Sequence, residues 1–437
     1  MKLRKTRIVL ALLAGAALAF SLAPANAAPA GANDPNNAPI SFHQWRGPLA
    51  FLSGQFDGTR PDLGGLVINK PVGTIDYTDP TLGTTKPYDY ATWLSPTYRQ
   101  GFGATQLISS WNATTPAGTW LQVEMQGTTN AGARTGWYVM GRWASGDADI
   151  HRTSVPNQSD TNGEVDVDTF QSHAPVTLTS YQLRVTLYRA QGSKATPTVS
   201  MVGAMTSAIP DRFTVPASPL GGAEGITLPV PAYSQNIHEG QYPQYDGGGE
   251  AWCSPTSTSM VVAYWGKSPT KAQMSWIDPS YADPQVDQAA RGTYDYDYHG
   301  TGNWPFNNAY AAEYGLDAHV TRLHSLDEME SYIRRGIPVV TSVSFEASEL
   351  TGSNYSTDGH LMVVVGFTKD GDVVTNDPAS NGDAAVRNIY NRHQFETVWL
   401  RTERMLPDGN VGGGPGGVAY IITAHGMPLP PAQGATS

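Results

Sequence analysis

Between residues 41 and about 210 the apolar and polar positions alternate with a period of two. The run Tyr181-Gln182-Leu183-Arg184-Val185-Thr186-Leu187-Tyr188-Arg189 keeps strict alternation over nine residues, the signature of a half-buried strand. Trp120 to Met125 alternates in the same way, and Gly136 to Trp143 follows it after the turn-rich stretch Gly127 to Thr135. Val176 to Leu178 adds another short run. Each run is bounded by Gly, Asn, Pro or Ser, which punctuate strands. This half predicts an all-β sandwich or jelly roll, with no helix and no repeat of fixed period.

The pattern changes after residues 211–228, DRFTVPASPLGGAEGITL, whose Pro, Gly, Ala and Ser content is that of an interdomain linker; the boundary is expected near residue 222. Over 229–425 helical spacing appears first. Ser254 to Trp265 predicts a helix with Met260, Val261, Tyr264 and Trp265 on its apolar side and Gly266 at its end. Pro305 to Tyr314, closing at Gly315, predicts a second. Leu326 to Arg335 predicts a third, capped by Ser325 with Glu328 at the capping-box position and stopped by Gly336. Strands follow at Pro338 to Ser344, His360 to Phe367, Asp372 to Thr375 and Val418 to Ile422. Helices first and antiparallel strands after predict an α+β domain.

The ends of the chain set the expected compartment. Lys2, Arg4, Lys5 and Arg7 precede the apolar run Ile8 to Phe20, and Ala25-Asn26-Ala27 has the small-residue form of a cleavage site. Residues 1–27 therefore read as a Sec signal peptide, which predicts a secreted protein with no membrane span once the signal is removed. Residues 28–40 read as a disordered mature N-terminus, and 426–437 as a disordered tail. The formal net charge is −11, and losing the signal removes four positive charges and no negative ones. Such a chain is a poor partner for nucleic acid or an anionic membrane surface.

Several features admit two readings. Trp45, Trp93, Trp111, Trp120, Trp137 and Trp143 suit stacking on sugar rings if exposed, or a core if buried. Asp147, Asp149, Asp160 and Asp166 to Asp168 are either calcium ligands, without EF-hand spacing, or solvated loop acids. Tyr294-Asp295-Tyr296-Asp297-Tyr298-His299 is read as a flexible, solvated loop over a cleft rather than as a metal site. Gly412-Gly413-Gly414-Pro415-Gly416-Gly417 lacks the Lys-Ser/Thr pair of a phosphate loop and reads as a mobile loop before the last strand, or as a segment touching the cleft. No H-E-x-x-H, P-loop or G-x-S-x-G elbow is present, so no metal or cofactor is implied.

One cysteine occurs among 437 residues. An unpaired thiol in an exported chain is either a small buried hydrophobe or a nucleophile. Cys253 sits just before the predicted helix, with Pro255 suited to its first turn. A sulfur there faces the positive end of the helix dipole and free backbone N–H groups, which favour thiolate. Gly247, Gly248 and Gly249 beside it suggest backbone crowded against something. A base is offered by His360, at the start of the apolar strand Leu361 to Val365. The next strand ends Thr375-Asn376-Asp377-Pro378. If Thr368 to Gly371 forms a four-residue loop, Asp377 lies opposite Met362 and diagonal to His360, with Cβ atoms roughly 7–8 Å apart and a His–Asp hydrogen bond within reach. A two-residue turn at Asp370-Gly371 puts Asp377 opposite Val364, too far along. The pair therefore requires the longer loop or a bulge. Gln235, upstream, offers a side-chain amide for an oxyanion beside the backbone N–H of Cys253.

The segments Val230-Pro231-Ala232-Tyr233-Ser234-Gln235, Ala251-Trp252-Cys253-Ser254-Pro255-Thr256 with the helix after it, Asp358-Gly359-His360-Leu361-Met362 and Thr375-Asn376-Asp377-Pro378 together resemble the C39-like cysteine peptidases of the papain-like clan, over about residues 228–425. The β-rich N-terminal half is similar to the partner domain of secreted actinobacterial members. The resemblance implies a papain-like domain over 229–425 that acts on a peptide or protein substrate, cell-wall peptides included. It implies Cys253 as nucleophile, His360 as base, Asp377 as its orienter and Gln235 as oxyanion donor. The family usually has Gly directly after the cysteine, where this chain has Ser254, and a side chain there bears on access to the thiol. Two other readings stand beside the peptidase: a wall- or glycan-binding protein with an inert papain-like domain, and an amidase acting on peptidoglycan peptides.

Overall fold

The computed structural model describes residues 38–431. The signal-peptide reading of residues 1–27 lies outside the described residues, as do 28–37 and 432–437 of the two terminal segments read as disordered; the described remainder is ordered, with Ile40 paired to Ser207 in a sheet and Met427 and Leu429 packed against the core.

The first half is a sandwich of two antiparallel sheets. One is centred on Gln106–Thr114 and Thr198–Ser207, with Ile40–Arg46 also paired to the latter. The other is centred on Thr85–Leu94, Leu178–Ala190 and Thr119–Thr129. The alternation of Tyr181 to Arg189 works as predicted, because Leu183, Val185 and Leu187 are fully buried between the sheets. Val176 to Leu178 is no separate strand: Leu178 opens the same strand, with a bulge between it and Ser180. One short helix, Gly47–Phe51, departs from the all-strand expectation; its Pro48 sits in the first turn and Phe51 plugs the core against Trp93. Trp45, Trp93, Trp111, Trp120 and Trp143 are all buried, so they are core rather than sugar platforms. Trp137 is half-buried under the Arg184 guanidinium.

The second half is built on a six-stranded antiparallel sheet in the order Leu316–Arg322, Val418–Ala424, Val339–Phe345, Thr357–Phe367, Val373–Asn376, Arg387–Tyr390. Every residue from Val339 to Phe345 and from His360 to Phe367 is buried, whichever way it points. Both faces are therefore covered, which explains why these strands read as continuous apolar runs. The helix Cys253–Tyr264 lies along Thr357–Phe367. It begins one residue earlier than its pattern suggested. Trp304–Ala312 also begins one residue early, capped by Asn303, whose side chain accepts from the Phe306 N–H at 3.0 Å. Leu326–Ile333 is capped by Ser325 as expected, while the Glu328 carboxylate turns to His324. The helices Pro284–Thr293 and Arg392–Leu400 carried too few periodic apolar positions to be foreseen.

Residues 211–228 connect the halves without hanging loose. The Leu228 N–H donates to the Val365 carbonyl at 2.7 Å, and the Phe367 N–H donates to Ile226 at 2.9 Å. Val215, Ala223 and Leu228 are buried. The glycine run before the last strand is likewise held. Val411–Gly413 pairs with Glu403–Met405, and a Cβ on Gly414 or Gly417 would run into the Arg401 or Leu323 carbonyl.

The two halves share one interior. The outer edge of the second sheet, Leu316–Arg322, would be an unpaired template in isolation. Sandwich side chains cover it: Asn112 accepts from the Ala318 N–H at 3.2 Å and donates to its carbonyl at 2.7 Å, and Ser110 accepts from Val320 at 2.9 Å. Phe306 inserts between Trp111 and Trp143 of the sandwich, at ring separations of 6.1 and 5.4 Å. Arg291 grips Asp147 with two bonds of 2.8 and 2.9 Å. Phe306→Ala should therefore lower stability by about 3–5 kcal/mol. Both halves should unfold in one transition, followed by urea denaturation with tryptophan fluorescence. A biphasic curve in the native protein would show two independent units instead.

Candidate active site

The thiol is placed by a run of left-handed backbone that requires glycine at Gly248. Asp246, Gly247 and Gly248 have φ of +61°, +82° and +127°, and the chain then turns through Gly249–Ala251 into the Cys253 helix. A Cβ on Gly249 would collide with the Gln235 carbonyl and with the backbone of His238. The crowding expected of the three glycines holds at Gly249, where the turn that carries Gln235 presses in, and at Gly248, where a Cβ would come within 3.0 Å of the Gly240 nitrogen; at Gly247 a Cβ would meet open space. Trp252, fully buried, anchors the turn by donating its indole N–H to the Tyr245 carbonyl at 2.7 Å. Thr256 N–H already bonds to Trp252, and Pro255 has no N–H. Cys253 and Ser254 thus carry the N–H groups left open at this helix start. Cys253 is half-buried.

Ser254 points the other way. Its side chain is fully buried, and its hydroxyl pairs with the Tyr420 hydroxyl at 2.9 Å under the sheet. It does not line the cavity above the thiol. The residue that stands where the family has glycine therefore leaves the approach to sulfur open.

His360 and Asp377 meet as the register argument required, by the bulge route. Phe367 pairs with Val373 and Gly366 with Val374; a shift at Val365 then brings Val364 onto Thr375 and Val363 onto Asn376. One step further, Asp377 falls opposite Met362. His360 Nε2 and Asp377 Oδ1 are 2.9 Å apart, and both side chains are buried. The bulge is held from outside the sheet. The freed Val365 carbonyl is the one that accepts from Leu228, and Gly366 lies so close to the Ile226 carbonyl that no Cβ fits. The interdomain segment thereby sets the register of the His–Asp pair.

Asp377 accepts three further bonds: Tyr390 Oη at 2.7 Å, Tyr355 Oη at 2.9 Å and the Ala379 N–H at 3.0 Å. Neither tyrosine was identifiable from the sequence, because each arrives from a loop or strand end with no motif around it. Burial alone would raise the Asp377 carboxyl, but the His360 charge and the tyrosine donors hold it below the usual carboxylate range. Burial alone would lower His360; Asp377, and then Cys253, outweigh it and push the imidazole up to about 10. With Nε2 on Asp377, Nδ1 is the ring nitrogen left for the thiol.

Gln235 is held by the residues flanking Asp377. Asn376 donates to the Pro231 carbonyl at 2.9 Å, and the Gln235 N–H donates to Pro378 at 2.9 Å. Its side-chain amide gives one hydrogen to the Glu250 carbonyl at 2.7 Å, and the second is uncommitted. Gln235, Cys253 and His360 line one cavity of about 470 Å³, with Tyr355, Tyr298 and Trp304 on its walls and Asp377 behind the imidazole. The loop Tyr294 to His299 is less solvated than expected: Asp295 is fully buried and takes the Ser154 N–H at 2.9 Å and the Asn303 amide at 2.9 Å, while Tyr298 reaches the cavity. Among the described residues no group of three or more His, Cys, Asp or Glu is placed to hold a metal ion.

A β-sandwich joined to a mostly antiparallel domain, with a half-buried thiol, a buried imidazole and a buried carboxylate in sequence, defines a class of two-domain peptidase-type proteins. Residues 41–207 match the family described as Peptidase C39 N-terminal domain, and residues 227–406 match the Peptidase_C39 like family. Together these matches span most of the chain, which belongs to the C39-like peptidases in their actinobacterial two-domain form. Among solved structures, a C39-like peptidase from Bacillus anthracis is 17% identical, with 47% of this chain and 100% of that one covered at a TM-score of 0.30. A structure titled for carbohydrate-binding modules of the β-sandwich superfamily is 8% identical, with 38% of this chain and 55% of that one covered at a TM-score of 0.15. No curated protein matches the chain.

Two outcomes follow from the buried pair. The folded imidazole near 10, against 6.5 for the ordinary group, supplies stability that is complete below pH 6.5 and lost as pH rises through about 10. Asp377 supplies stability above its ordinary 3.8, lost as pH falls through its lower folded value. The urea-midpoint difference between the native protein and His360→Ala should therefore shrink as pH is raised from about 6.5 to about 10; a constant difference would contradict the pair. Tyr390→Phe removes a donor to a buried carboxylate and should cost about 1.5–3 kcal/mol by the same measurement.

Proposed function

We propose that the chain is an exported cysteine hydrolase that cleaves amide bonds in peptides, with a papain-like catalytic domain over residues 229–425 and a β-sandwich domain over 41–210. The observation that carries this reading is the convergence of Cys253, His360 and Gln235 on one cavity, with Asp377 behind His360. Cys253 Sγ attacks the scissile carbonyl. The Gln235 amide and the Cys253 N–H donate to the oxyanion. The C–N bond breaks as His360 passes its proton to the leaving amine, and the acyl group remains as a thioester on sulfur. Water, giving its proton to His360, then attacks the thioester and releases the acid. Asp377, held by both tyrosines, keeps the imidazole in the tautomer and orientation these steps need. Ser254 in place of Gly favoured the inert alternative; its hydroxyl, turned to Tyr420 and away from the cavity, supports the active reading instead.

Native protein treated with a thiol-alkylating reagent near pH 6 should label at Cys253 faster than a free thiol. His360→Ala should slow labelling at least about tenfold, since a neighbouring imidazolium activates such thiols. Cys253→Ala should abolish cleavage of a mixed peptide library, and Ser254→Gly should leave it within about twofold. Labelling at the rate of a free thiol, with no cleavage by native protein, would overturn the hydrolase reading.

A further inference from the structure

One buried ionisable pair in the second half takes no part in the steps above. His238 and Asp287 are both fully enclosed, with Nδ1 and Oδ2 3.2 Å apart. The His238 Nδ1 also meets the Gln241 Oε1 at 3.0 Å, while Nε2 and both Asp287 oxygens have no hydrogen-bond partner among the described residues. A carboxylate so short of donors contributes little to stability, because its desolvation offsets what the pair gains. Asp377, with four donors, is the opposite case. The place of the His238–Asp287 pair in the fold offers another reason for it.

The pair joins the two backbones that an oxyanion needs held together. Gln235 opens a single turn, Asn236–His238, and the His238 N–H closes it on the Gln235 carbonyl at 3.0 Å. That carbonyl and the His238 backbone form the surface against which Gly249 packs with no room for a Cβ. Trp252, its ring 6.0 Å from the imidazole, leads directly into Cys253. On the other side, Asp287 belongs to the Pro284–Thr293 helix, which packs along the Cys253–Tyr264 helix, where Ser259 Oγ donates to the Gln285 carbonyl at 3.3 Å. The contacts close a ring. They run from the Cys253 helix through Asp287 and His238 to Gln235, and return through the Gln235 amide to the Glu250 carbonyl at 2.7 Å, three residues before the thiol. The upstream side of Gln235 is held separately, by Asp383, which accepts the Ser234 N–H at 2.8 Å. His238 holds the downstream side.

We propose that His238 and Asp287 are positioning residues for oxyanion stabilisation: by tying the Gln235 turn to the helix packed on the Cys253 helix, they set the Gln235 amide against the Cys253 N–H. The proposal rests on the hydrolase reading. It gives the pair no contact with substrate and no proton transfer. A displaced donor loses more in the tetrahedral state than in the bound substrate, where the oxyanion has not formed. Loss of the pair therefore lowers kcat and spares KM. It also spares the thiol and its imidazole, since Tyr355, Tyr390 and the sheet hold the His360–Asp377 pair.

The test uses the full chain with Asp287→Asn, which removes the charge at nearly constant shape, and with His238→Leu/Asp287→Leu, which replaces both members by apolar side chains. On a library peptide that the native protein cleaves, both variants should lower kcat at least about tenfold and leave KM within about twofold. The probe for the oxyanion site is N-acetylglycinal. The Cys253 thiolate adds to its carbonyl, forming an S–C bond and moving the carbonyl electron pair onto oxygen. Its Kd, measured by protection of Cys253 from iodoacetamide, should rise by about the same factor as kcat falls. Iodoacetamide labelling without aldehyde forms no oxyanion and should stay within about twofold of native. The double variant should keep its urea midpoint, as apolar replacement of a buried ion pair commonly allows. Native kcat and native aldehyde affinity in the folded variants would overturn the proposal and leave the hydrolase reading intact, as would alkylation slowed as much as turnover. Collapse of the urea midpoint in both variants would make the pair a purely structural element and overturn the proposal too. Absence of cleavage by native protein would overturn the hydrolase reading, and the aldehyde would then decide the pair by itself: weaker binding with unchanged alkylation supports it, and unchanged binding overturns it.

Discussion

A carboxylate with almost no contact with water is tolerable only if donors surround it, and the second half of this protein is arranged to supply them to Asp377. The four donors come from four places: the strand start at His360, the loop at Tyr355, the edge strand at Tyr390 and the backbone turn at Ala379. Each fixes a different segment, so the position of one charged oxygen pair fixes the mutual placement of all four. The residues beside Asp377 extend this control. Asn376 and Pro378 hold the segment that brings Gln235 to the thiol. The electrostatic consequence is mutual: the carboxyl is held down and the imidazole is held up, each by the other.

The register that makes this possible is not intrinsic to the hairpin. It depends on a bulge at Val365, stabilised by a carbonyl that bonds outward to Leu228, and on a glycine at 366 where the Ile226 carbonyl leaves no room for a side chain. The segment read as a linker thus acts as an added edge contact that sets the alignment of the His360 and Asp377 side chains. The sandwich does comparable service on the opposite edge, where Asn112 and Ser110 satisfy a strand that would otherwise be open to aggregation. With Phe306 embedded between two sandwich tryptophans, the halves pack as one body.

Much of the site was readable along the chain because its chemistry is scarce and local. A single cysteine before a helix, a histidine opening an apolar strand and an aspartate ending the next one are each visible without a fold, and two strands joined by a short loop constrain their own geometry. Strand alternation exposed the sandwich for the same reason: half-burial writes a period of two into the sequence. Tyr355 and Tyr390 were out of reach. Their roles depend on a carboxylate in another segment, and a tyrosine without local pattern carries no sign of its partner. The Tyr294 to His299 loop misled for a related reason, since its acids looked solvated until Asp295 was found buried against the sandwich.

By itself the sequence determined the residue types of the candidate site, their order, the β-rich character of the first half and the requirement for a bulge or long loop between His360 and Asp377. Only the tertiary structure decided which way that requirement was met and where the Ser254 hydroxyl turned. The physical reason is the range of the forces involved. Periodicity, glycine geometry and helix starts are properties of neighbouring residues. Donors to a buried carboxylate exist only once distant segments have packed against each other.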